Sequence, residues 1–283
     1  MNISDFNDWL ISKEKKSLIM GILNVTPDSF SDGGLYFETQ KAVNHALSMI
    51  ENGADIIDIG GESTRPFSEP VSVDDELLRV IPVIEELRKK TDTVISIDTT
   101  KSAVAKEASL AGVNIINDIS GMLFDKKMVD IAKDIDCPII LMHIKGNPKT
   151  MQDNPTYDDI ISEIKSHLLS RANYAIENGI DRKNIILDPG IGFGKTIENN
   201  FEILNRLDEL TSTGYPFLIG VSNKSFIGKT LNVDENERLE GTIVANTIAL
   251  QKGCKIFRVH NVKETKRCLL IGNKIFNSDH LNN

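Results

Sequence analysis

The chain has 283 residues, 40% hydrophobic and 26% charged, a length that fits one barrel of roughly 250 residues better than two small domains. Its net charge of −9 argues against a nucleic-acid surface, which needs a basic face to release counterions, and no apolar run approaches the roughly 18 residues of a membrane span. The start, MNISDFNDWLISKEKK, sets its charges after a very short apolar patch, so no export signal is expected and a cytoplasmic location is. Cys137, Cys254 and Cys268 are scattered without metal-type spacing and are expected as reduced, packed thiols.

In chain order, eight apolar runs read as strands: 17–25, 55–59, 93–98, 114–118, 138–143, 184–188, 216–221 and 255–260. The first breaks abruptly after LIMGILN into a polar stretch ending in two glycines, which reads as a strand feeding a loop. Helical patterns lie between the runs. Val43, Ala46, Leu47 and Ile50 give one apolar face, and Ile160, Ile161, Ile164, Leu168, Ala172 and Ile176 give another. A glycine, two residues and an apolar run recur at Gly53, Gly112 and Gly253, with a looser copy at Gly179. The glycine suits the left-handed position that ends a helix, and the run suits a parallel strand covered on both sides. Eight such units predict an α/β fold, a (β/α)8 TIM barrel, as a single domain with its core from about residue 15 to about residue 275. An open doubly wound sheet would carry a glycine fingerprint after its first strand, where this chain has NVTPDSF.

Asn24, Asp98, Asn117, Asp118, His143, Asp188, Lys224, Arg258 and His260 all fall at or just past the C-terminal end of a predicted strand. In a barrel these positions share one mouth. Each also has a structural alternative: Asp98 and Asp118 as helix N-caps, His143 as a satisfied core histidine. GIGFGKT and IGKT end like P-loops, but the earlier glycine that motif requires falls on Pro189 and Asn223, so no nucleotide site is implied. Arg258 and His260 stand two apart on one strand, so both side chains face one way, where two donors can hold a phosphate oxygen. Lys224 and Ser225 open a helix after the seventh strand, where backbone N–H groups suit an anion, and Arg65 adds a further cation.

Taken in order and spacing, NVTPDSFSDGG, GGESTRP, SIDTTKS, NDISG, MHIKGNPKTMQ, DPGIGFGKT, SNKSF and RVHNV resemble the dihydropteroate synthase family over nearly the whole chain. The resemblance implies a barrel transferase of folate synthesis that joins 6-hydroxymethyl-7,8-dihydropterin pyrophosphate to 4-aminobenzoate and releases pyrophosphate, assisted by Mg²⁺, as a homodimer. It also implies roles. Asp188 would accept the paired N–H donors of the pterin edge, with Asn117, Asp98, Lys224 and Arg258 as further pterin contacts. Asn24 would hold the metal and pyrophosphate, with Thr64, Arg65, Arg258 and His260 on phosphate oxygens. Phe30, Thr64, Pro66 and Phe193 would form the slot for 4-aminobenzoate and Ser225 would meet its carboxylate, beneath loops 26–34 and 61–72 that close over the site. Catalytic weight would rest on Asn24, Asp98, Asp188, Lys224, Arg258 and His260, with no protein nucleophile, because the arylamine attacks.

The chain departs from the family pattern at two places. The usual Ser-Arg-Lys-Ser is Ser222-Asn223-Lys224-Ser225 here, which removes a cation beside the second-substrate pocket, and the usual Arg-x-His-Asp is Arg258-Val259-His260-Asn261, which removes a carboxylate beside the anion ligands. Two alternatives are a methyltetrahydrofolate-dependent corrinoid methyltransferase, which has no use for the pyrophosphate set, and a paralogue that binds pterin without catalysis.

Overall fold

A computed structural model describes residues 1–26, 34–63 and 68–276. Helix α1 (Ile3–Ile11) precedes β1 (Leu18–Asn24), and then α2 (Gly34–Glu51), β2 (Ile56–Gly60), α3 (Val73–Arg88), β3 (Val94–Asp98), α4 (Ser102–Leu110), β4 (Ile115–Asp118), α5 (Met128–Ile135) and β5 (Ile139–Met142) follow. The second half adds α6 (Ile160–Glu177), β6 (Ile185–Asp188), α7 (Ile197–Asn205), α8 (Leu207–Thr211), β7 (Leu218–Ile219), α9 (Ser225–Leu231), α10 (Leu239–Gln251), β8 (Ile256–Val259) and α11 (Val262–Phe276). All eight predicted strands form, each within a residue or two of its expected limits.

The strands are parallel in the order β6-β5-β4-β3-β2-β1-β8-β7, and a bridge between Leu187 and Phe217 joins the two ends into a barrel. The join is narrow because Pro216 offers no N–H; its carbonyl accepts from the Leu187 N–H at 3.0 Å instead. The glycines of the recurring element, Gly53, Gly112, Gly179 and Gly253, have φ of 104°, 112°, 100° and 95°, so each helix ends in the backbone region expected for it.

Alternate residues of every strand sort into two cores. Ile19, Leu23, Ile57, Ile59, Ile95, Ile97, Leu141 and Phe257 face outward beneath the helices. Leu18, Met20, Ile56, Val94, Ile115, Ile140, Ile186, Leu218 and Ile256 face inward and fill the lower barrel. The outer layer includes Val43 and Ala46 of α2 and Ile160, Ile161, Ile164, Leu168 and Ala172 of α6. Ile176 departs from its expected place: it is exposed, and Ala175, three residues beyond Ala172, completes the buried stripe.

Helix α1 closes the bottom. Phe6, Trp9 and Leu10 pack into the inward apolar layer, with the Phe6 and Trp9 rings stacked at 5.6 Å. The Trp9 indole donates to the Lys16 carbonyl at 2.7 Å, and the Lys15 amine donates to the carbonyls of Trp9, Leu10 and Ser12 at 2.9, 2.8 and 2.7 Å, satisfying the end of the helix.

Candidate active site at the barrel mouth

One step above the apolar layer, the inward positions of β2, β3, β4, β6 and β8 turn polar. Asp58 stands two residues after Ile56, Ser96 two after Val94, Asn117 two after Ile115, Asp188 two after Ile186 and Arg258 two after Ile256. Strand pairing sets Asp58 beside Ser96 and Asp98 beside Asn117. The strands' period of two therefore makes a polar floor at the level where they end.

Arg258 organises that floor. Its Nε donates to Asp58 Oδ2 at 2.6 Å and its terminal nitrogen to Asp98 Oδ2 at 2.6 Å, while Asn117 Nδ2 donates to the same Asp58 oxygen at 3.1 Å. Burial opposes the charge on Arg258, but the Asp58 and Asp98 carboxylates hold its pKa above the ordinary arginine value. Burial pushes Asp98 up to about 7, with Arg258 pulling the other way and Asp58 adding repulsion. Arg258 is thus flanked by carboxylates, and its charge is largely answered inside the chain.

Asp188 ends β6 and is buried; one oxygen accepts the Gly190 N–H at 2.7 Å. Gly190 has φ 67°, and a Cβ there would lie 2.0 Å from the His143 carbonyl, so only glycine lets the loop turn back this sharply. Burial raises the Asp188 pKa, opposed by the Gly190 N–H and by Lys224. Among the described residues the other Asp188 oxygen accepts no hydrogen bond, which leaves an acceptor edge for a ligand. Lys224 caps α9, donates to the Ile191 carbonyl and lies 4.3 Å from the centre of the Phe193 ring. Burial lowers its pKa to about 7, with Asp188 opposing.

Among the other expected residues, His260 sits at the rim, its Nδ1 3.0 Å from Ser222 Oγ, which also accepts the His260 N–H at 3.1 Å. Asn24 ends β1 exposed at the mouth, opposite Gly60, which pairs in turn with Asp98. Ser225 is the exposed first residue of α9, and Phe193 is half-buried. Phe30, Thr64, Arg65 and Pro66, with parts of both expected closing loops, lie outside the described residues. The structure therefore joins Asp98, Asn117, Asp188, Lys224 and Arg258 in the floor and sets Asn24, Ser225 and His260 around its edge.

Two residues prove structural, His143 as the core histidine expected and Asp118 in a turn rather than as a helix N-cap. Asp118 accepts from Ser120 N and Oγ at 2.8 and 2.7 Å and from Met122 N at 2.8 Å, fixing the turn after β4. His143 is buried with Nδ1 3.0 Å from Lys195 Nζ, and burial followed by Lys195 lowers its pKa to about 2, so it stays neutral. The GKT triplet is not a phosphate loop: Thr196 opens α7 through a capping box with Asn199.

Asp58 escapes sequence reading because it stands inside the run IIDIG rather than at its end. A carboxylate in the middle of a strand buried on both faces was the available signal, since it is tolerated there only with partners. A Mg²⁺ ion keeps several waters and takes one or two protein oxygens together with substrate phosphate. The exposed Asn24 amide at the mouth fits such a donor set. Among the described residues no three His, Cys, Asp or Glu side chains converge into a larger cage.

Comparison with known proteins follows the same lines. The model of the family described as pterin binding enzyme matches residues 20–260. The chain is 50% identical to the dihydropteroate synthase of Bacillus subtilis over 257 residues, 91% of this chain and 88% of that protein, and 46% identical to that of Escherichia coli over 253 residues, 89% of each. The structure superposes with a TM-score of 0.88 on a Clostridium difficile dihydropteroate synthase determined in the presence of pteroic acid, at 46% identity over 92% of this chain and 97% of that one. A Xanthomonas albilineans dihydropteroate synthase with 4-aminobenzoic acid gives 0.87 at 40% identity, over 92% and 93% of the two chains.

Proposed function

This chain belongs to the pterin-binding enzymes, within the dihydropteroate synthase family, and from that premise we propose that its mouth joins 6-hydroxymethyl-7,8-dihydropterin pyrophosphate to 4-aminobenzoate, giving 7,8-dihydropteroate and pyrophosphate. The observation that carries this reading is the polar floor, where Asp58, Asp98, Asn117, Asp188, Lys224 and Arg258 stand on an apolar base inside one barrel. The corrinoid methyltransferase alternative finds no such support: the relatives at 44–50% identity are synthases.

The free edge of Asp188 supports its role as acceptor for the paired N–H donors of the pterin. The Asn117 amide donates to Asp58, so its oxygen is the atom left for the ligand. Arg258, with His260 and Arg65, would meet the pyrophosphate oxygens, whose charge grows as the C–O bond breaks. The arylamine nitrogen attacks the pterin methylene carbon, pyrophosphate leaves with the bonding pair, and the amine loses a proton. Mg²⁺, held by Asn24 and the pyrophosphate, would supply positive charge to that leaving group. Phe193 beside Lys224 supports the slot for the second substrate, completed by Phe30, Thr64, Pro66 and Ser225. The Yersinia pestis synthase, 42% identical, has been determined in a sulfonamide drug complex, which supports reading this chain as a sulfonamide target.

The reading extends to a cytoplasmic homodimer. Val244 and Ile248 on α10 and Leu270, Ile271 and Ile275 on α11 are exposed apolar side chains on two adjacent helices, a surface that a second copy would cover. Purified protein given the pterin pyrophosphate, 4-aminobenzoate and Mg²⁺ should release pyrophosphate; absence of release would overturn the proposal in favour of a pterin-binding paralogue without catalysis.

A further inference from the structure

A buried lysine, the partner of His143, stands behind the site and bonds none of the side chains of the polar floor. Lys195 is 3% exposed, and its amine lies 3.0 Å from His143 Nδ1, 2.9 Å from the Phe193 carbonyl and 3.4 Å from the His143 carbonyl. Three hydrogen-bonding neighbours thus surround the amine. None of the three is a carboxylate. Burial lowers the Lys195 pKa well below the ordinary lysine value, and nearby Lys224 adds to that pull while Asp188 opposes it. An amine buried so deep, with no carboxylate bonded to it, has its role in what its hydrogen bonds fix.

They fix the turn between β6 and α7. Gly190, Gly192 and Gly194 have φ of 67°, 84° and 65°, so the turn has little shape of its own. Its shape comes from side chains that reach its carbonyls one after another: Lys224 takes that of Ile191, Gln152 that of Gly192 at 2.5 Å, Lys195 that of Phe193 at 2.9 Å and Tyr157 that of Gly194 at 2.7 Å. Among the described residues, Lys195 is the side chain that hydrogen-bonds both this turn and His143 at the end of β5. The turn in turn presents the Phe193 ring, over which the Lys224 ammonium lies.

We propose that Lys195 is a positioning residue for the second-substrate half of the site: by holding the Phe193 carbonyl against His143, it sets the plane of the Phe193 ring and the reach of Lys224. The inference rests on the reading of Phe193 as part of the aminobenzoate slot. Lys195 touches neither substrate, so its removal acts through the ring.

The test is Lys195→Met, which keeps the length of the side chain and removes its donors. The KM for 4-aminobenzoate should rise about tenfold, while the dissociation constant for the pterin pyrophosphate, measured without 4-aminobenzoate, stays within about twofold. In Lys195→Met with His143→Leu, the imidazole that Lys195 paired is gone as well, so stability should recover while the raised KM persists. A role confined to folding predicts the opposite, that the double variant regains the wild-type KM. Unchanged KM in the single variant, or equal losses for both substrates, would also overturn the inference. Amide hydrogen exchange over residues 189–196 reads the same positioning without turnover. Protection lost in Lys195→Met supports it and protection kept overturns it, whether or not the wild type releases pyrophosphate, so failure of the synthase reading gives a different result.

Discussion

The two ends of the barrel are made by the same strands and differ by one step of two residues. At the bottom, Ile56, Val94, Ile115, Ile186 and Ile256 meet Phe6, Trp9 and Leu10 of α1 in a dry plug. One step higher, Asp58, Ser96, Asn117, Asp188 and Arg258 form a floor of charges and amides in which Asp58 Oδ1 and Ser96 Oγ are buried without a partner among the described residues. Burial of apolar side chains stabilises the lower end, whereas the upper end carries carboxylates and a lysine with pKa values moved by desolvation. The lower end holds the strands in register so that the upper end can keep groups that destabilise it.

Substitutions at the two ends should therefore separate stability from chemistry. The largest effect is expected at the bottom: Trp9→Ala should lower unfolding free energy by about 4 kcal/mol in denaturant titration, with kcat of the folded fraction unchanged. A loss of kcat at full folding would mean that the two ends are not independent. At the top, Asp188→Ala removes the acceptor for paired donors and should weaken pterin pyrophosphate binding by about 100-fold in calorimetry, without lowering the melting temperature. Near-normal binding would show that the pocket lies elsewhere.

Asp58→Asn keeps one acceptor for Arg258 and Asn117 but removes the charge, and should reduce kcat/KM for the pterin substrate by about tenfold. The pH profile sharpens the same contrast. Asp98 gains its proton as pH falls through about 7, which weakens its pair with Arg258, and Lys224 loses its proton as pH rises through about 7. A narrow bell in kcat/KM centred near that pH is expected. In Asp58→Asn its acid limb should move to lower pH, because Asp58 adds to the repulsion that raises Asp98. The smallest effect concerns Asn223, which has φ 55°, donates its N–H to Thr242 Oγ1 at 3.1 Å and accepts Arg238 at 2.7 Å through its carbonyl. Those contacts are made by the backbone, so Asn223→Arg should leave them in place and tighten 4-aminobenzoate binding a few-fold; unchanged or weaker affinity would mark the departure as neutral.

Much of this was legible in the chain itself. Strands buried on both faces are written as continuous apolar runs, and the glycines that end the helices set their spacing, so eight units could be counted without any pairing being visible. Asp98, Asn117 and Asp188 could be found because each stands at or next to the end of such a run, and Arg258 because it stands two residues before His260 on one strand. Asp58 and Lys195 could not, since one sits within a run and the other in a triplet that imitates a phosphate loop. Helix α1 looked like a short apolar patch because its meaning lies in the nine inward side chains of eight strands that it covers.

Local chemistry, with its periods of 2 and 3.6 and its turn residues, thus determined which segments form and which positions end them. Only the closed barrel decided who meets whom. Arg258 reaches Asp58 across 200 residues of sequence because β8 and β2 both flank β1, and no local pattern records that adjacency. The same closure turned a step of two, repeated on β2, β3, β4, β6 and β8, into a polar floor above an apolar one by gathering those inward positions at one mouth.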